Sequence, residues 1–234
     1  MIKAILWDID DTLLDFLPSE KYAIRECFNI FKIGECTDEM LSVYSEINKN
    51  HWYLMETGLM TKKEMLISRF RKFFLLYGIP VSIAEAFNSE YQKRLGDKVF
   101  FIPGAYEVLN SLSCKYILGA VTNGTKTSQT AKLEKSGLNS LLDYIFISEE
   151  IGFEKPDPRF FSRVFSTIGI NDHREAMIVG DSLSSDIKGG IDSGLVTCWY
   201  NPFGKLSDSL KPDYIIDNLY QIKDILLKEN KTER

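Results

Sequence analysis

The sequence predicts an α/β fold: a parallel sheet flanked by helices, with a block of helices inserted near its start. Three observations carry that reading. An apolar run, Ala4-Ile5-Leu6-Trp7, opens the chain after Ile2 and Lys3, with no helical spacing. Helical periodicity alone then fills the stretch from about Glu20 to Leu95. From Val99 onward short apolar runs alternate with helical stretches. Parallel strands produce that alternation because each crossover needs a helix.

The opening strand has the composition of one buried on both faces, which suits the middle of a sheet. It ends in Asp8-Ile9-Asp10-Asp11-Thr12, three carboxylates within four positions. Two unit charges about 4 Å apart repel by roughly 4 kcal/mol at an effective dielectric near 20, so the cluster calls for a cation or a proton, and hence for chemistry. In the helical block Ile24, Cys27, Phe28 and Phe31 share one face. Met40, Val43, Tyr44 and Ile47 share a second, and Leu66, Phe70, Phe73, Phe74 and Tyr77 a third. Thr61-Lys62-Lys63-Glu64 and Ser82-Ile83-Ala84-Glu85 are capping-box patterns. Gly58, Gly78 and Gly96 stand where helix C-caps belong, with Pro80 just beyond one of them. About four helices are expected.

Further strands are expected at Tyr116–Val121, Tyr144–Ile147, Ala176–Val179, Val196–Tyr200 and Tyr214–Ile216. The helices among them fall near Ala105–Leu112, Thr127–Lys135, Pro158–Ile168, Ser185–Asp192 and Leu219–Leu227. The first strand has no β–α partner next to it in sequence, so the helical block reads as an insertion. Residues 1–15 and 99–234 form the expected core, and 16–98 the expected helical cap domain.

Composition narrows the function classes. Of 234 residues, 44% are hydrophobic and 26% charged, ordinary for a globular protein. No apolar stretch approaches the roughly 18 residues a membrane helix needs, and Asp8 and Asp10 interrupt any signal-peptide reading; a cytoplasmic protein with no membrane partner is expected. Cys27, Cys36, Cys114 and Cys198 are widely spaced, as reduced thiols are, and with only His51 and His173 they offer no zinc site. A net charge of −5 argues against a nucleic acid polymer as partner. An anionic ligand would have to be drawn in by a local cation.

Ligands of open parallel sheets bind at the carboxyl ends of the strands. Four expected strand ends carry unusual residues: Asp8, Asp10 and Thr12; Thr122-Asn123-Gly124; Lys155-Pro156-Asp157-Pro158; and Gly180-Asp181-Ser182 with Asp186 beyond. Each has an ordinary explanation taken singly: a turn, a helix N-cap followed by proline, a surface lysine, a carboxylate complementing a helix dipole. Together they would set carboxylates, a hydroxyl and an ammonium along one sheet edge, which structure alone does not require.

In this order, D-x-D-x-T, T-N, K-P-D-P and G-D-x-x-x-x-D resemble the haloacid dehalogenase (HAD) superfamily of phosphatases. The likeness spans nearly the whole chain, and it implies a Rossmann-like core with an inserted cap. Trp7 to Phe16, with Gly189-Gly190-Ile191, Gly194 and Thr197 to Asn201, is similar to the pyrimidine 5′-nucleotidase subfamily. The resemblance implies that Asp8 is the nucleophile and Asp10 the general acid/base. Thr122, Asn123 and Lys155 would bind phosphate. Asp8, the Asp10 carbonyl and Asp181 would hold Mg²⁺, a hard ion suited to oxygen donors, and Asp186 would orient that shell.

The substrate implied is a small phosphate ester, a nucleoside monophosphate first and a sugar phosphate second. A monomer and a homodimer stay equally open. A phosphomutase fits less well, since Asp11 stands where such relatives have glycine, and a dehalogenase would have no use for Asp10 or the metal carboxylates. A non-catalytic phosphate-binding protein is the reading of a different class. Asn48, His51, Trp52, Tyr53 and Glu56 lie near the end of a cap helix, where aromatics more often pack than bind.

Overall fold

The computed structural model describes residues 1–207 and 209–229. After β1 (Ala4–Trp7) come four helices: α1 (Phe16–Phe31), α2 (Asp38–Glu56), α3 (Lys62–Tyr77) and α4 (Ala84–Arg94). The alternation then runs α5 (Ala105–Leu112), β2 (Ile117–Thr122), α6 (Lys126–Ser136), β3 (Tyr144–Ile147), α7 (Ser148–Ile151) and α8 (Pro158–Ile168). It ends with β4 (Ala176–Gly180), α9 (Lys188–Asp192), β5 (Val196–Tyr200), β6 (Tyr214–Ile216) and α10 (Gln221–Glu229). Among the described residues no helix is long and apolar enough to cross a membrane.

The strands form one parallel sheet in the order β3-β2-β1-β4-β5-β6. The fold class is therefore the expected Rossmann-like α/β arrangement. All four residues of β1 are fully buried, as its apolar run requires. Strands β2 and β3 extend the sheet on one side of β1, and β4 to β6 on the other. The order reverses at β1, and at such a switch point the crossovers diverge and leave a crevice at the carboxyl edge. Helix α8 buries Phe160, Phe161, Val164 and Phe165 in the same core cluster as Leu6, Val121 and Ile178 of the sheet.

Two compact units emerge. The helical one takes Phe16–Val99 together with Thr127–Lys135; the sheet-bearing one takes the rest of the described residues. The sequence reading put Thr127–Lys135 with the sheet. Its packing explains the difference: a Cβ at Gly96 would lie 2.3 Å from the Ala131 Cβ, and the Lys132 ammonium sits 4.7 Å from the centre of the Phe16 ring. Gly96 accordingly has no left-handed backbone and is not a helix cap. Glycine stands there because α6 comes too close for a side chain.

The helical unit has an aromatic core of Phe28, Tyr44, Phe70, Phe73, Phe74, Phe87 and Tyr91. Tyr44 stacks on Phe70 with ring centres 5.0 Å apart. Met65 rather than Leu66 is the fully buried residue at the start of α3. The capping box at Thr61 and Glu64 forms, and Gly78 is a left-handed C-cap. The one expected at Ser82 does not form, because Val81–Ile83 winds into a 3₁₀ turn and Ile83 takes the N-cap place. Helix α2 is capped by Thr57, one residue before Gly58. The segment expected as one helix over Ser185–Asp192 is a π turn, Leu183–Ile187, that runs on into α9.

Candidate functional site

β1, β2 and β4 run parallel with Trp7 opposite both Ala120 and Val179, so the residues just past each strand emerge at one edge. The Asp8 amide donates to the Val179 carbonyl at 2.9 Å, which ties the first carboxylate to the end of β4. Beyond Asp8 the chain turns sharply. Leu13 and Leu14 amides both donate to the Ile9 carbonyl at 2.9 Å, and Asp11 takes a left-handed backbone with φ of +61°. Ile9 is fully buried, while Asp8 is 8% exposed and Asp10 half-buried.

Lys155 reaches the same edge from the connection between α7 and α8 and is 1% exposed. Its ammonium donates to Asp8 Oδ1 at 2.7 Å, to Asp186 Oδ1 at 2.6 Å and to the Val121 carbonyl at 2.7 Å. An ammonium has three N–H donors, and each has a partner here. The Lys155 backbone is fixed as well: Asn123 Nδ2 donates to its carbonyl, and its amide donates to Asn123 Oδ1, both at 2.8 Å. Asn123 therefore spends its side chain on holding Lys155. Thr122 closes β2, and its hydroxyl accepts the Gly124 amide at 3.0 Å.

Asp186 is fully buried. Its second oxygen accepts the Ser182 amide at 3.1 Å, so both carboxylate oxygens are committed within the protein. The carboxylate occupies the space of a Cβ on Gly180, whose built position falls 2.2 Å from Asp186 Oδ2. Gly180 is the condition for Asp186 to reach Lys155. Asp181 is half-buried, and its carbonyl accepts the Trp199 indole N–H at 2.9 Å.

Carboxylate oxygens of Asp8, Asp181 and Asp186 lie within 4.8 Å of one another. Burial is the main cause that pushes the Asp8 carboxyl up to about 8; Lys155 opposes the shift, and the Asp186 and Asp10 carboxylates add to it. Asp181 is raised well above the usual carboxylate range by burial first, then by Asp11, Asp8 and Asp186. Burial disfavours the charge on Lys155, yet Asp186 and Asp8 outweigh it and hold the ammonium above its ordinary value. With all three carboxylates ionised, the single ammonium would leave a surplus of two negative charges. A hard divalent cation fits that donor set of oxygens alone.

The structure thus gathers Asp8, Lys155, Asn123, Asp181 and Asp186, with Thr122 ending the adjoining strand. The Asp10 side chain is not part of the carboxylate cluster. Asp157 is the N-cap of α8, its Oδ1 accepting the Arg159 amide at 2.8 Å. Sequence reasoning missed the Val121 carbonyl, the Ser182 amide and the Trp199 indole. The first two are backbone groups and leave no trace in residue type. The aromatic end of β5 was the available signal for the third. In the helical unit Asn48 and His51 are buried: Asn48 Nδ2 donates to Glu20 at 2.6 Å and its Oδ1 accepts from Arg69 at 2.6 Å.

A family model described as a haloacid dehalogenase-like hydrolase matches residues 5–200. The chain is 36% identical over 229 residues to the HAD-hydrolase YfnB of Bacillus subtilis (strain 168), covering 97% of each chain. A crystal structure of that protein bound to magnesium superimposes with a TM-score of 0.90 at 35% identity, over 96% of this chain and 98% of the other. The chain is 32% identical over 201 residues to the pyrimidine 5′-nucleotidase PynA of Streptococcus pneumoniae (strain ATCC BAA-255 / R6), over 86% of this chain and 84% of that protein.

Proposed function

The chain belongs to the haloacid dehalogenase-like hydrolases, and on that footing we propose that it is a Mg²⁺-dependent phosphatase of nucleoside 5′-monophosphates, pyrimidine ones first. The observation that carries the reading is the buried Lys155 ammonium held between Asp8 and Asp186, with Asp181 beside them. Likeness to a pyrimidine 5′-nucleotidase supports the nucleotide. In this reading the sheet-bearing unit is the catalytic core and the helices of 16–98 its cap. The protein works in the cytoplasm on a small soluble ester, as a monomer or a homodimer.

Asp8 is the nucleophile. Lys155 occupies its Oδ1, which leaves Oδ2 to attack phosphorus in line. The bond to the leaving oxygen breaks, Asp10 gives that oxygen a proton, and an aspartyl-phosphate remains. Water then attacks phosphorus, Asp10 takes its proton, and inorganic phosphate leaves Asp8 regenerated. Asp10 suits the role because it is more open than Asp8. Lys155 offsets the charge of Asp8 and of the phosphoryl oxygens, and the Thr122 hydroxyl and Asn123 backbone amide bind those oxygens. Asp8, the Asp10 carbonyl and Asp181 would hold Mg²⁺, with Asp186 orienting Lys155 and the shell behind them. When bound, the ion neutralises the carboxylates and polarises the phosphoryl group.

The test is phosphate release from UMP, AMP and a sugar phosphate, with Mg²⁺ and with excess EDTA. The expected result is highest kcat/KM on UMP and none in EDTA. Release from the sugar phosphate alone would move the substrate to that class. Release from none, with Mg²⁺ present, would overturn the phosphatase reading.

A further inference from the structure

β5 lies beside β4 with Trp199 opposite Gly180, so the chain after Tyr200 emerges at the carboxyl edge next to Asp181. The indole bond from Trp199 to the Asp181 carbonyl ties the two strand ends together. Past β5 the backbone forms a loop pinned by its own hydrogen bonds. The Asn201 amide donates to the Ile216 carbonyl at 2.7 Å. Its side chain closes the turn on Lys205, with Nδ2 donating to the Lys205 carbonyl at 2.9 Å and Oδ1 accepting the Lys205 amide at 2.8 Å. The Gly204 amide donates to the Asn201 carbonyl at 3.2 Å.

This fixed loop displays Phe203, 83% exposed, and Leu206, 88% exposed, the two most exposed large apolar side chains among the described residues. Between them stands an exposed cation, Lys205, within electrostatic reach of Asp181. A polar loop would serve connection equally well. An aromatic ring and a cation carried on a pinned loop that leaves the same sheet edge as Asp181 match a ligand that joins an anion to a planar ring.

We propose that the Asn201–Leu206 loop is the leaving-group subsite: Phe203 stacks on the nucleobase of the substrate and Lys205 attracts its phosphate. The inference rests on the nucleotidase reading and narrows it. Base-on-aromatic stacking tolerates any base, because each presents a π face. The loop therefore selects nucleotides as a class, and the choice of pyrimidine lies elsewhere.

The experiment compares wild type, F203A, F203W and K205A on UMP, p-nitrophenyl phosphate and glycerol phosphate with Mg²⁺. F203A should lower the UMP to glycerol phosphate ratio of kcat/KM about tenfold, through KM, and F203W should restore it. K205A should raise KM for all three esters, by a factor that shrinks as salt is added. An unchanged ratio in F203A would overturn the subsite. Should wild type cleave p-nitrophenyl phosphate and glycerol phosphate but not UMP, the nucleotide reading fails. The loop is then judged by whether F203A lowers the ratio of the aromatic ester to glycerol phosphate.

Discussion

Lys155 is the residue on which the site's electrostatics turn. It is buried with Asp8 and Asp186, and a buried pair that loses one partner is destabilised by about 3–5 kcal/mol. Asp8→Asn is the informative change because it removes the proposed nucleophile and keeps the shape. Lys155 keeps Asp186 and the Val121 carbonyl, and the crowding of negative charge falls by one. Turnover should drop at least about 10³-fold, with a melting temperature in EDTA at or above that of the parent. Near-normal turnover would end the covalent mechanism. Residue types alone pointed to Asp8, Asp181, Asp186 and Lys155. That Asn123 holds Lys155 with its side chain, and that Gly180 yields its space to Asp186, became visible only when the loops met.

Among the elements, α6 departs most from expectation. Its apolar pattern is weak, and the polar Lys132 and Gln129 are buried in the segment that packs with the helical unit. The contact of Gly96 with Ala131 sets how near α6 lies to the turn after α4. Gly96→Ala forces two methyl-sized groups into that space, and such overpacking costs about 1–3 kcal/mol. The melting temperature should fall by several degrees, read by scanning calorimetry. An unchanged or higher value would mean that the two segments separate without loss. The strands were legible because each is a short apolar run between polar turns. The π turn at Leu183–Ile187 was not, since a widened turn has the same residue pattern as an α-helix.

Across the protein as a whole, the proposed metal site would link ion binding to folding. A ligand that binds only the folded state adds RT ln(1 + [L]/Kd), about 2.7 kcal/mol at one hundred times Kd. The carboxylates converge only once β1 and β4 pair, so the unfolded chain offers no such site. Mg²⁺ should raise the melting temperature of the parent protein, and Asp181→Asn should lose most of that rise. A parent that melts at the same temperature with and without Mg²⁺ would contradict the metal assignment, whatever its activity.

Residue order alone was enough for the class of fold, the central place of the first strand and the polar strand ends that the structure brings to one edge. Apolar periodicity and closely spaced carboxylates are local properties, written in consecutive positions. Folding in three dimensions was needed to establish which backbone groups complete the site, that α6 packs with the helical unit, and that the loop carrying Phe203 and Lys205 leaves the sheet at the edge where Asp181 lies. Those are distances between segments far apart in the chain, and they come into being only when parallel strands bring their carboxyl ends to one edge.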